Sequence, residues 1–187
     1  DRLSAAHNLL KAHGAAVKAL RSVAADARIG YAPCGWVMCP KDDSPEEIER
    51  ASKAYFSMWK NDPASTVAFF SDPVMLGDYP AEYYEWYKEI LPDIREGDLE
   101  LISQPIDFYC QNIYSGTHVS FDKDGNVVWE QFPSGSPLTA MDWEIVSEAL
   151  YWGPKFLYER YGKPILITEN GIANPDCVCL DQKVHDG

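Results

Sequence analysis

Residues 165–171 read Ile-Leu-Ile-Thr-Glu-Asn-Gly, an apolar β-branched run that ends on one ionisable group. A buried strand of that kind delivers Glu169 to the rim of a sheet, which makes it the best single candidate for chemistry. A plainer reading stays open: a solvated turn in which Gly171 supplies a positive φ. A second apolar and aromatic run, Ile106 to Tyr114, closes on Asn112 and Tyr114. An amide and a phenol at a strand end can hold a neighbouring carboxylate ionised by hydrogen bonding. Tyr114 also reads as a rim aromatic satisfied by a backbone carbonyl. Six Trp, 11 Tyr and seven Phe exceed what a core alone requires. Aromatic planes beside carboxylates and amides suit a sugar pocket, because pyranose C–H faces pack on rings while polar groups take the hydroxyls.

The cysteines point away from metal chemistry. Cys177 and Cys179 are separated by one residue, not two, and no second Cys/His pair stands nearby, so they read as thiols. Five cysteines in a mid-sized chain argue against a secreted disulfide scaffold and for a reducing compartment, which we expect to be the cytoplasm. Nothing in the sequence calls for a cofactor.

At 187 residues and 21.1 kDa, the chain is one domain or part of a larger one. Its net charge of −13 repels phosphate backbones and anionic lipid, so no nucleic-acid or membrane partner is expected. No apolar run approaches the roughly 20 residues that cross a bilayer. No signal peptide opens the chain, which starts at Asp1 and enters a helix at once; a start within a domain is expected.

The elements that must position these residues alternate in type. Leu3, Ala6, Leu10, Val17 and Leu20 mark one helical face. Arg28 to Ala32 reads as a short buried strand stopped by Pro33. Ser44-Pro45-Glu46-Glu47 is a helix start, with Ser as N-cap and Pro at the first position, and the helix is expected to run to about Lys60. Asp72-Pro73 and Gly77-Asp78-Tyr79-Pro80 punctuate a loop. Helices are expected from Ala81 to Leu91 and from Asp98 to Ser103. After the strand from Ile106 to Tyr114, His118 to Phe132 reads as a hairpin turning at Lys123-Asp124-Gly125-Asn126. A long helix from Trp143 to Tyr161 follows, capped by Gly162, and the strand from Pro164 to Glu169 closes the series.

Strands alternating with helices at this spacing require right-handed crossovers and a parallel sheet. Three of them cannot close a barrel, and an eight-stranded one takes about 250 residues. The expected fold class is therefore α/β, an incomplete piece of a (β/α)8 TIM barrel covering about strands five to seven. The whole of residues 1–187 forms one partial domain, from the helix after strand four to the loop after strand seven. In such barrels the chemistry sits at the C-terminal ends of strands. Those ends are residues 33–35, 111–114 and 168–171.

Five segments, in order, resemble glycoside hydrolase family 1, the β-glucosidases and their relatives. They are residues 7–14 (His-Asn-Leu-Leu-Lys-Ala-His-Gly); Ser71-Asp72-Pro73 with Gly77-Asp78-Tyr79-Pro80; residues 107–114 (Asp-Phe-Tyr-Cys-Gln-Asn-Ile-Tyr); residues 139–145 (Thr-Ala-Met-Asp-Trp-Glu-Ile); and residues 165–171. The resemblance implies that Glu169 is the nucleophile of a retaining mechanism and that Tyr114 orients it. It also implies a place for Asn112 beside the glycone and for Trp143 as a wall of the aglycone subsite. His7 and His13 fall in a helix outside the barrel, where a structural role is expected.

The sequence departs from the family pattern at three places. Ile113 stands where a second tyrosine is usual, and Asp142 replaces a common Gly. Pro33-Cys34 occupy the end of strand five, where many members carry Asn, which makes Cys34 a substrate-side candidate. These changes bear on the leaving group. The family's acid/base lies in a Thr-x-Asn-Glu-Pro motif, and no Asn-Glu-Pro occurs in these 187 residues. A retaining glycosidase needs both carboxylates, about 5–5.5 Å apart. The implied function is hydrolysis of β-glucosides or β-linked oligosaccharides with retention, with the chain alone inactive. The alternatives are a non-catalytic carbohydrate-binding fragment, a β-galactosidase or 6-phospho-β-glucosidase, or a myrosinase-like or lactase-like member. Open sheet edges would also favour self-association.

Overall fold

The computed structural model describes residues 2–61, 66–123, 127–174 and 176–185. The expected hairpin turn over residues 124–126 lies outside the described residues. The chain opens with helix α1 (Arg2–Val23), followed by strands β1 (Gly30–Tyr31) and β2 (Val37–Pro40) and helices α2 (Pro45–Tyr55), α3 (Val67–Met75), α4 (Ala81–Tyr87) and α5 (Asp98–Ile102). Strands β3 (Phe108–Asn112), β4 (Gly116–Phe121) and β5 (Val127–Trp129), helix α6 (Ala149–Tyr161) and strand β6 (Ile165–Glu169) complete it.

Two three-stranded sheets result. One has the order β1-β3-β6 with every pair parallel, as the alternation of strands and helices requires. Three parallel strands make an open arc, with β1 and β6 at its edges. The second sheet has the order β2-β4-β5, with β2 parallel to β4 and β5 antiparallel to it.

Helix α1 buries Leu3, His7, Leu10, Gly14 and Val17 as a single stripe, whereas Leu20, expected on that face, is exposed. Gly14 lets α1 lie directly on α5: a Cβ there would sit 1.8 Å from the carbonyl oxygen of Leu101. His7 is structural. One ring nitrogen meets the Tyr79 hydroxyl at 3.0 Å and the other the Asp98 carboxylate at 3.1 Å. Lys11, the Arg95 backbone N–H and His7 together hold Asp98 well below the usual carboxylate range. Ser44 caps α2 through the Glu47 N–H at 3.4 Å, and Gly162 ends α6 in the left-handed region at φ 63°.

Four expectations are corrected. The segment holding Asp72-Pro73 is not loop but helix α3, buried over Val67, Ala68, Phe69 and residues 71–74. Burial of that much apolar surface outweighs the roughly 3 kcal/mol that a proline costs inside a helix. Helix α2 stops at Tyr55 rather than near Lys60, and the Ser57 hydroxyl donates to the Ala54 carbonyl at 2.8 Å. Helix α4 likewise ends at Tyr87 rather than Leu91. Helix α6 starts at Ala149, because Trp143 and Glu144 are drawn into a tight hairpin with Leu138 and Thr139. Strand β2, with all four residues buried between α2 and α6, was not expected.

Candidate active site

Because β1, β3 and β6 run parallel, their C-terminal ends share one rim. The register between β3 and β6 shapes that rim. Tyr109, Cys110 and Gln111 face Ile165, Leu166 and Ile167, and then the pairing shifts so that Asn112 faces Glu169. An extra residue of this kind re-aims a side chain locally, and such bulges concentrate at barrel rims and functional sites. The shift sets Asn112 and Glu169 opposite each other across the two strands.

Short-range bonds lock this arrangement. The Ile113 N–H donates to the Glu169 carbonyl at 2.9 Å, and the Asn170 side-chain amide donates to the Ile113 carbonyl at 2.7 Å. The Thr168 hydroxyl donates to Asn112 Oδ1 at 2.8 Å. The Tyr114 hydroxyl donates to a carboxylate oxygen of Glu169. That hydrogen bond, reinforced by partial desolvation and by the negative charge of Glu169, raises the Tyr114 pKa. The phenol therefore stays protonated and remains a donor. Cys34 is exposed beyond the end of β1. Glu169 makes no ion pair among the described residues and is exposed, so acceptor capacity remains on its carboxylate.

Trp143 is presented by the hairpin over residues 138–144. The Thr139 N–H donates to the Trp143 carbonyl at 2.9 Å, and the Trp143 N–H donates to the Thr139 hydroxyl at 3.2 Å. Asp142 takes φ 59° at the tip, the conformation that a glycine would adopt freely. The Trp143 ring lies 6.1 Å from that of Tyr114. All five candidates thus collect at one end of the sheet. Ile113 does not join them: it is 1% exposed and packs in the core with Val37, Trp152 and Phe156. Just past the end of β3, Ile113 turns inward while Tyr114 stays exposed at the rim, so this departure from the family pattern leaves the rim untouched.

Two residues escaped the sequence reading. Trp36 sits edge-to-face on Trp143, with centroids 5.5 Å apart and planes at 85°, and its Nε1–H donates to the Thr117 hydroxyl at 2.6 Å. The available signal was an indole two residues past Cys34. Thr117, 81 positions away, gave none.

Among the described residues no group of three His, Cys, Asp or Glu is placed to hold a metal ion. None of their helices is long and apolar enough to cross a membrane. The cavity of about 900 Å³ between α2 and α6 is lined by no residue of the strand ends and is separate from this site.

The profile of glycosyl hydrolase family 1 matches residues 1–187. The chain belongs to that family. Over 183 residues it is 39% identical to beta-glucosidase A of Thermotoga maritima, covering 97% of this chain and 40% of that protein. Beta-glucosidase A of Acetivibrio thermocellus is 36% identical over 194 residues, covering 98% of this chain and 41% of its own length. The solved structure of a Thermotoga maritima beta-glucosidase in complex with deoxynojirimycin superposes with a TM-score of 0.75 at 37% identity, covering 97% of this chain and 40% of that one. The family 1 chain described here therefore spans about two fifths of these relatives, and its open parallel arc is part of a (β/α)8 barrel.

Proposed function

We propose that this chain supplies the nucleophile half of a retaining β-glucosidase site. The observation that carries the reading is the Tyr114–Glu169 hydrogen bond at the ends of adjacent parallel strands, with Asn112 in register beside the carboxylate. The names of the relatives and the sugar-like inhibitor of the solved structure support it.

Glu169 attacks the anomeric carbon, and the glycosidic C–O bond breaks as an acid protonates the leaving oxygen. An ester forms between Glu169 and the glucosyl unit. Water then gives a proton to the same acid/base, attacks the anomeric carbon and releases glucose with Glu169 restored. In family 1 that acid/base belongs to the Asn-Glu-Pro motif, which these 187 residues do not contain. Tyr114 steadies the carboxylate for attack and then interacts with the ester. Asn112 contacts the sugar, while Trp143 and Cys34 border the leaving group. Five free cysteines support a reducing compartment, and we assign the cytoplasm.

A 2-deoxy-2-fluoro-β-glucoside with a good leaving group tests this in the protein that carries the chain. Fluorine slows breakdown of the ester more than its formation, so one carboxylate should become labelled. Peptide mapping should place the label within residues 168–171. A label on Glu144 or Glu148, or no label at all, overturns the assignment.

A further inference from the structure

We infer that Trp36, held by Thr117, is a positioning residue for Trp143, and that the two indoles form a right-angled corner selecting flat aromatic leaving groups. The inference rests on the reading of Trp143 as the leaving-group wall. Trp36 lies between the end of β1 and the start of β2, and its Nε1–H reaches 2.6 Å to the Thr117 hydroxyl of β4. Strand β4 is fixed in turn, because Gly116 and Thr117 pair in parallel register with Val37 and Met38. The second sheet therefore fixes one indole in a single orientation, and that indole props the other.

Trp143 needs the prop. Its hairpin turns through a left-handed Asp142, and its ring otherwise meets only the half-exposed Tyr114 among the ring contacts described. At 85° and 5.5 Å the pair has the edge-to-face geometry that aromatic rings prefer, and both indoles remain half-exposed. A flat aryl group lying on one face meets the second ring edge-on and gains two contacts. A flexible alkyl chain gains the apolar area of one wall and no second aromatic contact.

The test measures kcat/KM for phenyl and n-butyl β-glucosides in the protein that carries this chain. Thr117→Val removes the acceptor without changing shape, and Thr117→Ser restores it. Thr117→Val and Trp36→Leu should each lower the phenyl-to-butyl ratio by about two- to tenfold, the scale of one hydrogen bond or one aromatic pair. The double variant should lose no more than either single, because both act on one unit. Thr117→Ser should keep the ratio, and Thr117→Val should weaken the exciton couplet of the indole pair in far-ultraviolet circular dichroism. Equal losses on both substrates, or a ratio unmoved by Thr117→Val, overturn the inference. If the wild type cleaves no β-glucoside, the proposed function fails by itself. The corner is then decided by whether Thr117→Val lowers the phenyl-to-butyl binding ratio of the corresponding thioglucosides.

Discussion

Asp72 and Glu169 each accept a hydrogen bond from a tyrosine, and their surroundings are opposite. Asp72, 4% exposed, takes the Tyr161 hydroxyl at 2.8 Å and two bonds from Arg160, at 3.1 Å from Nε and 2.6 Å from Nη2. Arg160 is itself stacked over Phe56 at 4.6 Å. A fork-shaped cation with several bonds is the arrangement that lets a charge stay buried, and it consumes the acceptor capacity of the carboxylate. Glu169 has the phenol of Tyr114 and no cation among the described residues, and it stands open at a strand end. One carboxylate is finished by the protein. The other keeps open lone pairs at an exposed strand end.

If that contrast is right, the same kind of substitution should have different consequences at the two places. The largest effect should be on turnover of the protein that carries this chain: Glu169→Ala should lower its kcat by roughly 10⁴ or more, with the melting temperature nearly unchanged. Added azide should restore part of the rate and yield the inverted α-glycosyl azide. Near-normal turnover by that variant would erase the distinction. Next, Arg160→Leu should cost about 3 kcal/mol of stability in urea unfolding, because it leaves Asp72 buried without its cation. A loss below about 1 kcal/mol would show that Asp72 is not held by the pair.

Removing a hydroxyl from each tyrosine sharpens the comparison. Tyr161→Phe should lower stability by about 1.5–3 kcal/mol, the range for a bond to a charged group, with kcat/KM little affected. Tyr114→Phe should do the reverse, lowering kcat/KM by about ten- to a hundredfold at unchanged stability. Swapped outcomes would mean that the rim bond is structural and the buried one is not. The smallest effect belongs to the hairpin carrying Trp143. Asp142→Gly should raise stability by about 0.5 kcal/mol, because relief of the left-handed conformation slightly exceeds the greater chain entropy of glycine. A fall in the melting temperature would show that the Asp142 side chain contributes more than its backbone strain costs.

Local chemistry was legible in the sequence wherever the decisive partners are a few residues apart. The Ser44 cap and Pro45 start of α2 satisfy backbone donors within one turn, and Gly162 adopts the left-handed cap that ends α6. The apolar runs that became β3 and β6 announced themselves by β-branched and aromatic content, and with them the placement of Asn112, Tyr114 and Glu169 at strand ends. Strand β2 was hidden by Pro33 and Gly35 before it and by Pro40 at its end, because punctuation by glycine and proline ordinarily marks loop. Helix α3 was hidden for the same reason by Asp72-Pro73, although its buried face decides its conformation.

The sequence by itself determined the parallel α/β class, the strand that ends on Glu169 and the residue types that stand beside that carboxylate. Periodicity, capping and charge act over distances that a linear reading covers. Only the tertiary structure decided which groups meet. The shift after Gln111 sets Asn112 against Glu169, Arg160 closes on Asp72 across 88 positions, and Trp36 finds Thr117 across 81. Such pairings follow from strand register and helix packing. They are fixed by the sum of many buried contacts and carry no local mark, because the two partners share no turn, cap or repeat.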